Sequence, residues 1–80
     1  MNLKVINIKY SNSNLKKINL PDKASIKENK NQRLSISYNR NEIKTDQLLD
    51  SLRSQGLEII DLSTEEADLA DVFRLLTKNN

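Results

Sequence analysis

The 80-residue chain contains no cysteine, no histidine and no tryptophan. Without cysteine it can form no disulfide and can supply neither a thiolate nucleophile nor a cysteine ligand for zinc. The lack of histidine removes the commonest general base and the commonest transition-metal ligand. A phosphate-cradling loop needs several glycines, and Gly56 is the only one. We therefore expect no catalytic residue, no cofactor-binding residue, no metal ligand and no ATP hydrolysis in this chain.

Paired carboxylates occur near the C-terminus, at Glu65 and Glu66 and at Asp68 and Asp71. General acid–base chemistry requires such pairs in a desolvated cleft. At the start of a surface helix they are expected to be caps and partners of the helix dipole. The chain also lacks the spacing of an EF-hand calcium loop.

The length predicts a single small α+β domain over residues 1–80. Its core is expected to be small and near the balance between burial and entropy, so that a partner or neighbouring domain helps to hold it. No apolar run approaches the length that spans a bilayer, and the N-terminus lacks the pattern of a signal peptide. The expected location is the cytoplasm.

The net charge of +2 hides an asymmetry between the two halves of the chain. Residues 1–44 carry ten Lys or Arg against three acids, whereas residues 45–80 carry three against eight. Such a split indicates either that each half has its own solvated face, or that the basic half meets an anionic partner and the acidic half a cationic one.

Alternating apolar residues predict three strands in the first half of the chain. In LKVINIKY, Leu3 to Tyr10, one face is expected to hold Ile6, Ile8 and Tyr10 and the other Val5. ASIKE and RLSISY are predicted to form a hairpin through the polar NKNQ, with the serines of RLSISY facing outward. Between the first two strands, either one helical turn or an irregular apolar plug is predicted, and it ends at Pro21. Its apolar residues are Leu15, Ile18 and Leu20.

TDQLLDSLRSQG is the clearest helix, with Thr45 or Asp46 as its N-cap and Gly56 in a left-handed conformation after its end. Its buried stripe is predicted to contain Leu48, Leu49 and Leu52. The following LEIIDLS is predicted to be a strand with both faces covered, because Ile59 and Ile60 are adjacent.

STEEADLADVFRLLT, Ser63 to Thr77, predicts a closing helix that is capped by Asp68 and has Asp71 as a second acid in its first turn. An apolar stripe with the spacing i, i+3, i+4, i+7 is expected to face the core. Phe73, the only phenylalanine, is predicted to be its main anchor. The stripe consists of Leu69, Val72, Phe73 and Leu76.

The resulting order is β, short turn or helix, β, β, α, β, α. It predicts a small antiparallel sheet of about four strands with two helices on one face, a ferredoxin-like variant with a reduced first helix. Such sheets can bind RNA through exposed aromatic residues. Tyr10 and Tyr38, however, lie in the apolar phase of their strands and are expected in the core.

Residues 56–77, GLEIIDLSTEEADLADVFRLLT, resemble the end of bacterial ABC-type exporter ATP-binding subunits, which finish with a strand and a helix of the form E-x-S-L-E-D-V-F-L-x-L-T. Asp68 stands at the capping serine of that pattern and Ala70 at an acid. The matching residues are Glu66, Leu69, Asp71, Val72, Phe73, Leu76 and Thr77. Upstream, the order of elements fits, but NQRL replaces a glycine-containing turn.

The resemblance implies a non-catalytic accessory domain, regulatory or structural, that follows the nucleotide-binding domain of an exporter subunit. The chain would be a C-terminal fragment, with ATP and Mg²⁺ bound only by the parent subunit. The implied partners are the nucleotide-binding domain of the same subunit, a second copy of the chain and, indirectly, the membrane permease, with no nucleic acid. The implied location is the inner face of the cell membrane, within a transporter complex.

The alternative is a free-standing small binding module. Its basic half, residues 1–44, would carry an anionic partner such as RNA.

Overall fold

The structure is a computed structural model that describes residues 3–11 and 18–77, with side chains described as far as residue 73 in the last helix. The described residues form four strands and two helices. They are β1 Leu3–Tyr10, β2 Ala24–Lys30, β3 Arg33–Asn39, α1 Thr45–Ser54, β4 Ile59–Glu66 and α2 Leu69–Thr77. The predicted α+β class is confirmed.

The sheet has the order β2-β3-β1-β4, and every neighbouring pair is antiparallel. Helix α1 connects β3 to β4, which flank β1, so the connection crosses over a strand as in a split βαβ unit. This agrees with the expected ferredoxin-like variant. The place of a first helix is taken by the segment between β1 and β2, within which residues 12–17, including the predicted Leu15, lie outside the described residues.

One face of the sheet, the core face, holds the hydrophobic core. Alternation along β1 and β3 brings Ile6 opposite Ile36 and Ile8 opposite Leu34, all fully or almost fully buried. Tyr10 and Tyr38 are buried beside them, as predicted, and their hydroxyl groups bond to Asn29 and Thr45. The side chains of the core are Ile6, Ile8, Tyr10, Ala24, Leu34, Ile36, Tyr38, Ile43, Leu48, Leu49, Leu52 and Leu57.

Helix α1 covers the core face through its three predicted leucines, Leu48, Leu49 and Leu52. The predicted N-cap is wrong, because α1 begins after Lys44, whose backbone N–H donates to Gln47 Oε1 at 3.1 Å. The Thr45 hydroxyl instead bonds to Tyr38 at 2.6 Å, which ties the helix to the sheet.

The end of α1 confirms the prediction for Gly56, whose φ of 99° is costly for other residue types. Its N–H donates to the Arg53 carbonyl at 3.0 Å, and the Leu57 N–H donates to the Leu52 carbonyl at 3.2 Å. These two bonds form a Schellman motif, which directs Leu57 into the core.

The hairpin between β2 and β3 is also confirmed. Asn31 and Gln32 both have positive φ, 54° and 62°, as the favoured two-residue hairpin turn requires. Glycine usually occupies the second position. Here two hydrogen bonds hold Gln32 in place. Its Nε2 donates to the Ser11 carbonyl, and the Gln32 carbonyl accepts a hydrogen bond from the Tyr10 N–H.

Strand β4 differs from the prediction that both of its faces are covered. It pairs with β1 at one side of the sheet, and its residues beyond Ile59 are exposed. Ile60 is 59% exposed and Leu62 39% exposed. The adjacent isoleucines are explained by an irregularity in pairing, since Tyr10 lies opposite Ile59 and Lys9 opposite Asp61, which makes Ile60 an extra residue.

The prediction that both helices lie on one face of the sheet is wrong, because α1 and α2 lie on opposite faces. Helix α2 contacts Ser37 and Lys27. Ser37 pairs with Val5 and alternates with the core residues Ile36 and Tyr38. We call this second side of the sheet the α2 face. Val5 and Ser37 on it are fully buried, so the expectation that Ser37 faces outward is wrong.

Candidate protein-interaction surface on the C-terminal helix

The start of α2 is fixed by two reciprocal hydrogen bonds. The Asp71 N–H donates to Asp68 Oδ1 at 2.9 Å, and the Asp68 N–H donates to Asp71 Oδ2 at 2.8 Å. This arrangement is a capping box, in which the residue three positions into the helix satisfies the N-cap. The prediction that Asp68 caps this helix is confirmed. Because both capping side chains are carboxylates, their negative charges also interact favourably with the positive end of the helix dipole.

Asp71 is at the same time the point at which α2 attaches to the sheet, and it is only 1% exposed. Lys27 Nζ lies 3.1 Å from Asp71 Oδ1 and 3.4 Å from Oδ2. The Ser37 hydroxyl donates to Oδ1 at 3.4 Å. A buried charge is tolerated when it is paired and hydrogen-bonded. We call the set Asp71, Lys27 and Ser37 the α2 latch.

The latch determines which side of α2 faces outward. At about 100° per residue, Leu69 and Phe73 each lie about 160° around the helix from Asp71, nearly opposite the buried carboxylate. Leu69 is 68% exposed and Phe73 59% exposed. They are i, i+4 neighbours and form one outward apolar ridge, which we call the α2 ridge. The prediction that the stripe faces the core is therefore wrong for Leu69 and for Phe73, its expected main anchor.

The other residues of the predicted motif take separate places. Val72 is half-buried at the side of the helix. Glu66 lies at the end of β4, where Lys4 Nζ approaches its Oε1 at 3.3 Å while its own side chain stays mostly exposed. The backbone of Leu76 and Thr77 belongs to α2, but their side chains lie outside the described residues.

Lys27 and Ser37 were missed as partners of the motif. Lys27 lies where the pairing of β2 with β3 shifts between Ile26 and Glu28, so no regular alternation could assign its face. Ser37 could have been found, because RLSISY places serines on the face away from the core. A polar face cannot bury an apolar helical stripe favourably.

A second feature of the α2 face is a row of cations at its far end. Lys9 pairs with Arg33 on β3, and Arg33 pairs with Lys30 on β2. All three are exposed. Like charges directly opposite each other weaken a sheet. Beyond Lys9, the next residue across the sheet is the acidic Asp61 on β4, which lies opposite Lys9. We call Lys9, Arg33 and Lys30 the basic row.

The comparisons with known proteins give no significant match to a family model, to a curated protein or to a solved structure. Among the described residues, no group of three or more acidic, histidine or cysteine side chains could hold a metal ion. Neither helix in the described part of the chain has the length and apolar character needed to cross a bilayer.

Proposed function

We propose that the chain is a non-catalytic accessory domain of an ABC-type exporter ATP-binding subunit, and that it docks on the nucleotide-binding domain through the α2 ridge. The observation that carries the docking role is the outward orientation of Leu69 and Phe73. The exporter assignment rests on the resemblance of residues 56–77 to the end of such subunits.

The orientation of α2 supports docking because an apolar helix face turned to solvent gains free energy when a partner covers it. Here the exposure is fixed by the latch, since Asp71 must stay on the sheet to keep its bonds to Lys27 and Ser37. Phenylalanine and leucine at i, i+4 spacing are typical anchors of a helix that packs into an apolar groove.

The reading frame upstream of Met1 tests the exporter assignment. We expect it to encode a Walker A loop followed by an ABC signature loop, and an unrelated upstream sequence would overturn the assignment. The docking role is tested with the full-length subunit. Phe73→Ser should weaken the association of the accessory and nucleotide-binding domains, measured as easier proteolytic separation. The control is Asp50→Ser on the exposed side of α1, and equal behaviour of the two variants would refute docking through the ridge.

A second candidate function is the binding of an anionic partner by the basic half of the chain. The basic row is the observation that favours it. Three neighbouring cations provide phosphate contacts without sequence recognition. Both tyrosines are buried, so neither can stack on a nucleic-acid base as the exposed aromatic residues of RNA-binding sheets do. The partner would thus be held by charge.

Salt dependence tests this candidate. Binding to a single-stranded RNA homopolymer should fall steeply with salt, and Lys9→Glu with Arg33→Glu should abolish it. Lys23→Glu with Arg40→Glu is the matched control, because it makes the same charge change outside the row. Absence of binding at low salt, or equal losses in both double variants, would exclude the basic row as the site.

A further inference from the structure

The two edge strands of the sheet, β2 and β4, are protected to different degrees. Natural proteins block edges with lysines, prolines, bulges or covering elements, because an open edge pairs with other chains. Strand β2 has such protection. Its pairing is irregular around Lys27, it ends in Lys30, and α2 lies over it through the latch.

Strand β4 is protected mainly by acidic side chains, those of Asp61, Glu65 and Glu66. Its irregularity is confined to Ile60 at the start, after which Asp61–Glu66 pairs regularly with β1. This run contains no lysine and no proline, and every residue in it is exposed, including Leu62. Within the described part of the chain, β1 is the only strand that pairs with β4. The outer edge of β4 is therefore open to a further strand except at the Leu62 N–H, which donates to Asp61 Oδ1 at 2.9 Å and has to be released for a strand to pair there.

The charges on β4 indicate which strand would fit. Asp61 lies opposite Lys9, and Glu66 lies opposite Lys4, which it contacts at 3.3 Å. In each pair, an acid on β4 lies directly opposite a lysine on β1. A cation on an added strand is the residue that pairs favourably with both acids, since opposite charges across strands stabilise a sheet and like charges weaken it.

A second copy of β4 fits this edge poorly. Two antiparallel β4 strands would bring Asp61, Glu65 and Glu66 of both chains into one ribbon, where the like charges repel. The register that centres on Ser63 places Asp61 of each chain directly opposite Glu65 of the other. Charge therefore disfavours self-pairing and favours a basic partner.

We propose that the outer edge of β4 is a docking site for an extended, basic segment of another protein, which adds to the sheet as a fifth strand. Backbone hydrogen bonds supply affinity in this mode of recognition, and alternate side chains supply specificity. The segment carries Lys or Arg opposite Asp61, Glu65 and Glu66, and a β-branched residue beside Leu62. This site is separate from the α2 ridge and does not depend on the exporter assignment.

A synthetic peptide with the core Lys-Lys-Val-Thr-Val-Lys, antiparallel to Asp61–Glu66, tests the proposal. We expect salt-sensitive binding to the full chain, together with slower amide hydrogen exchange at Asp61–Glu66 in NMR spectra. The same peptide with alternate backbone amides methylated keeps the charge but cannot pair as a strand, and it should not bind. Equal binding of the methylated peptide, or protection at β2 instead of β4, would overturn the proposal.

Variants of the chain complete the test. Asp61→Lys with Glu65→Lys should weaken peptide binding by about tenfold or more, because two attractive pairs become repulsive. Glu42→Lys with Asp50→Lys makes the same charge change away from β4 and should leave binding unchanged. If both double variants lose affinity equally, the peptide recognises net charge and the β4 site is refuted. A concentration-dependent dimer whose contact protects Asp61–Glu66 would also refute it, by identifying a second copy as the occupant.

Discussion

Helices α1 and α2 attach to opposite faces of one sheet by different means. Helix α1 buries Leu48, Leu49 and Leu52 against the core face, whereas α2 buries Asp71 and turns Leu69 and Phe73 outward. The faces differ accordingly, since one is lined by isoleucine and leucine and the other by serine and asparagine around Val5. An apolar stripe thus identifies the side of a helix whose burial is favourable. Whether the domain itself buries that side depends on whether the facing surface of the sheet is apolar or polar.

The largest expected effect comes from breaking the attachment of α1. Leu52→Ala removes a fully buried side chain and should lower the free energy of unfolding by about 2–5 kcal/mol. Total stability for a small domain is on the order of 5 kcal/mol, so a large part of the population should be unfolded. Urea unfolding followed by circular dichroism measures this loss. A loss below that of Asp71→Ala would show that the latch, not the α1 stripe, dominates stability.

The next effect comes from breaking the attachment of α2. Asp71→Ala removes the charged bonds to Lys27 and Ser37 and half of the capping box, and should cost about 2–3 kcal/mol. Lys27→Met leaves the buried carboxylate without its cation and should also destabilise. Removing both charges, with Asp71→Ala and Lys27→Met, should cost less than the sum of the two single losses, because neither charge is then left buried without its partner.

A double-mutant cycle in urea separates the contributions of the two latch residues. If the two losses simply add, Lys27 and Asp71 act independently, and the ion pair does not hold α2 on the sheet.

A smaller effect is expected for the cap alone. Asp68→Ala removes the acceptor for the Asp71 N–H and should cost about 1 kcal/mol. Asp68→Asn is the matched variant, because it keeps an oxygen acceptor and should retain most of the stability. If Asn is as harmful as Ala, the charge of Asp68 matters more than its hydrogen bond.

Most of the fold could be predicted from the sequence, because β3 and α1 have clear periods and β1 alternates except at Val5 and Ile6, which are adjacent and both buried. The helix α2 and its cap were also predictable, from Asp68 and the spacing of Leu69 and Phe73. What could not be predicted is the face to which α2 attaches. That depends on Lys27, which lies at an irregular position of β2, and on the long-range contact of Asp71 with β3. Neither leaves a periodic signal.

The smallest effect on stability is expected at the α2 ridge, where the contrast with α1 is sharpest. Phe73→Ala should change the free energy of unfolding of the isolated domain by no more than about 0.5 kcal/mol, because the residue is 59% exposed and alanine is the better helix former. The same substitution in the full-length subunit should impair domain association or transport. If Phe73→Ala unfolds the isolated domain, Phe73 is a core residue and the α2 ridge is not a docking surface. A silent result in both settings would show that α2 only covers the sheet. The ranking Leu52→Ala, Asp71→Ala, Asp68→Ala and Phe73→Ala, from largest to smallest loss, therefore tests whether a carboxylate holds α2 while its apolar ridge remains available to a partner.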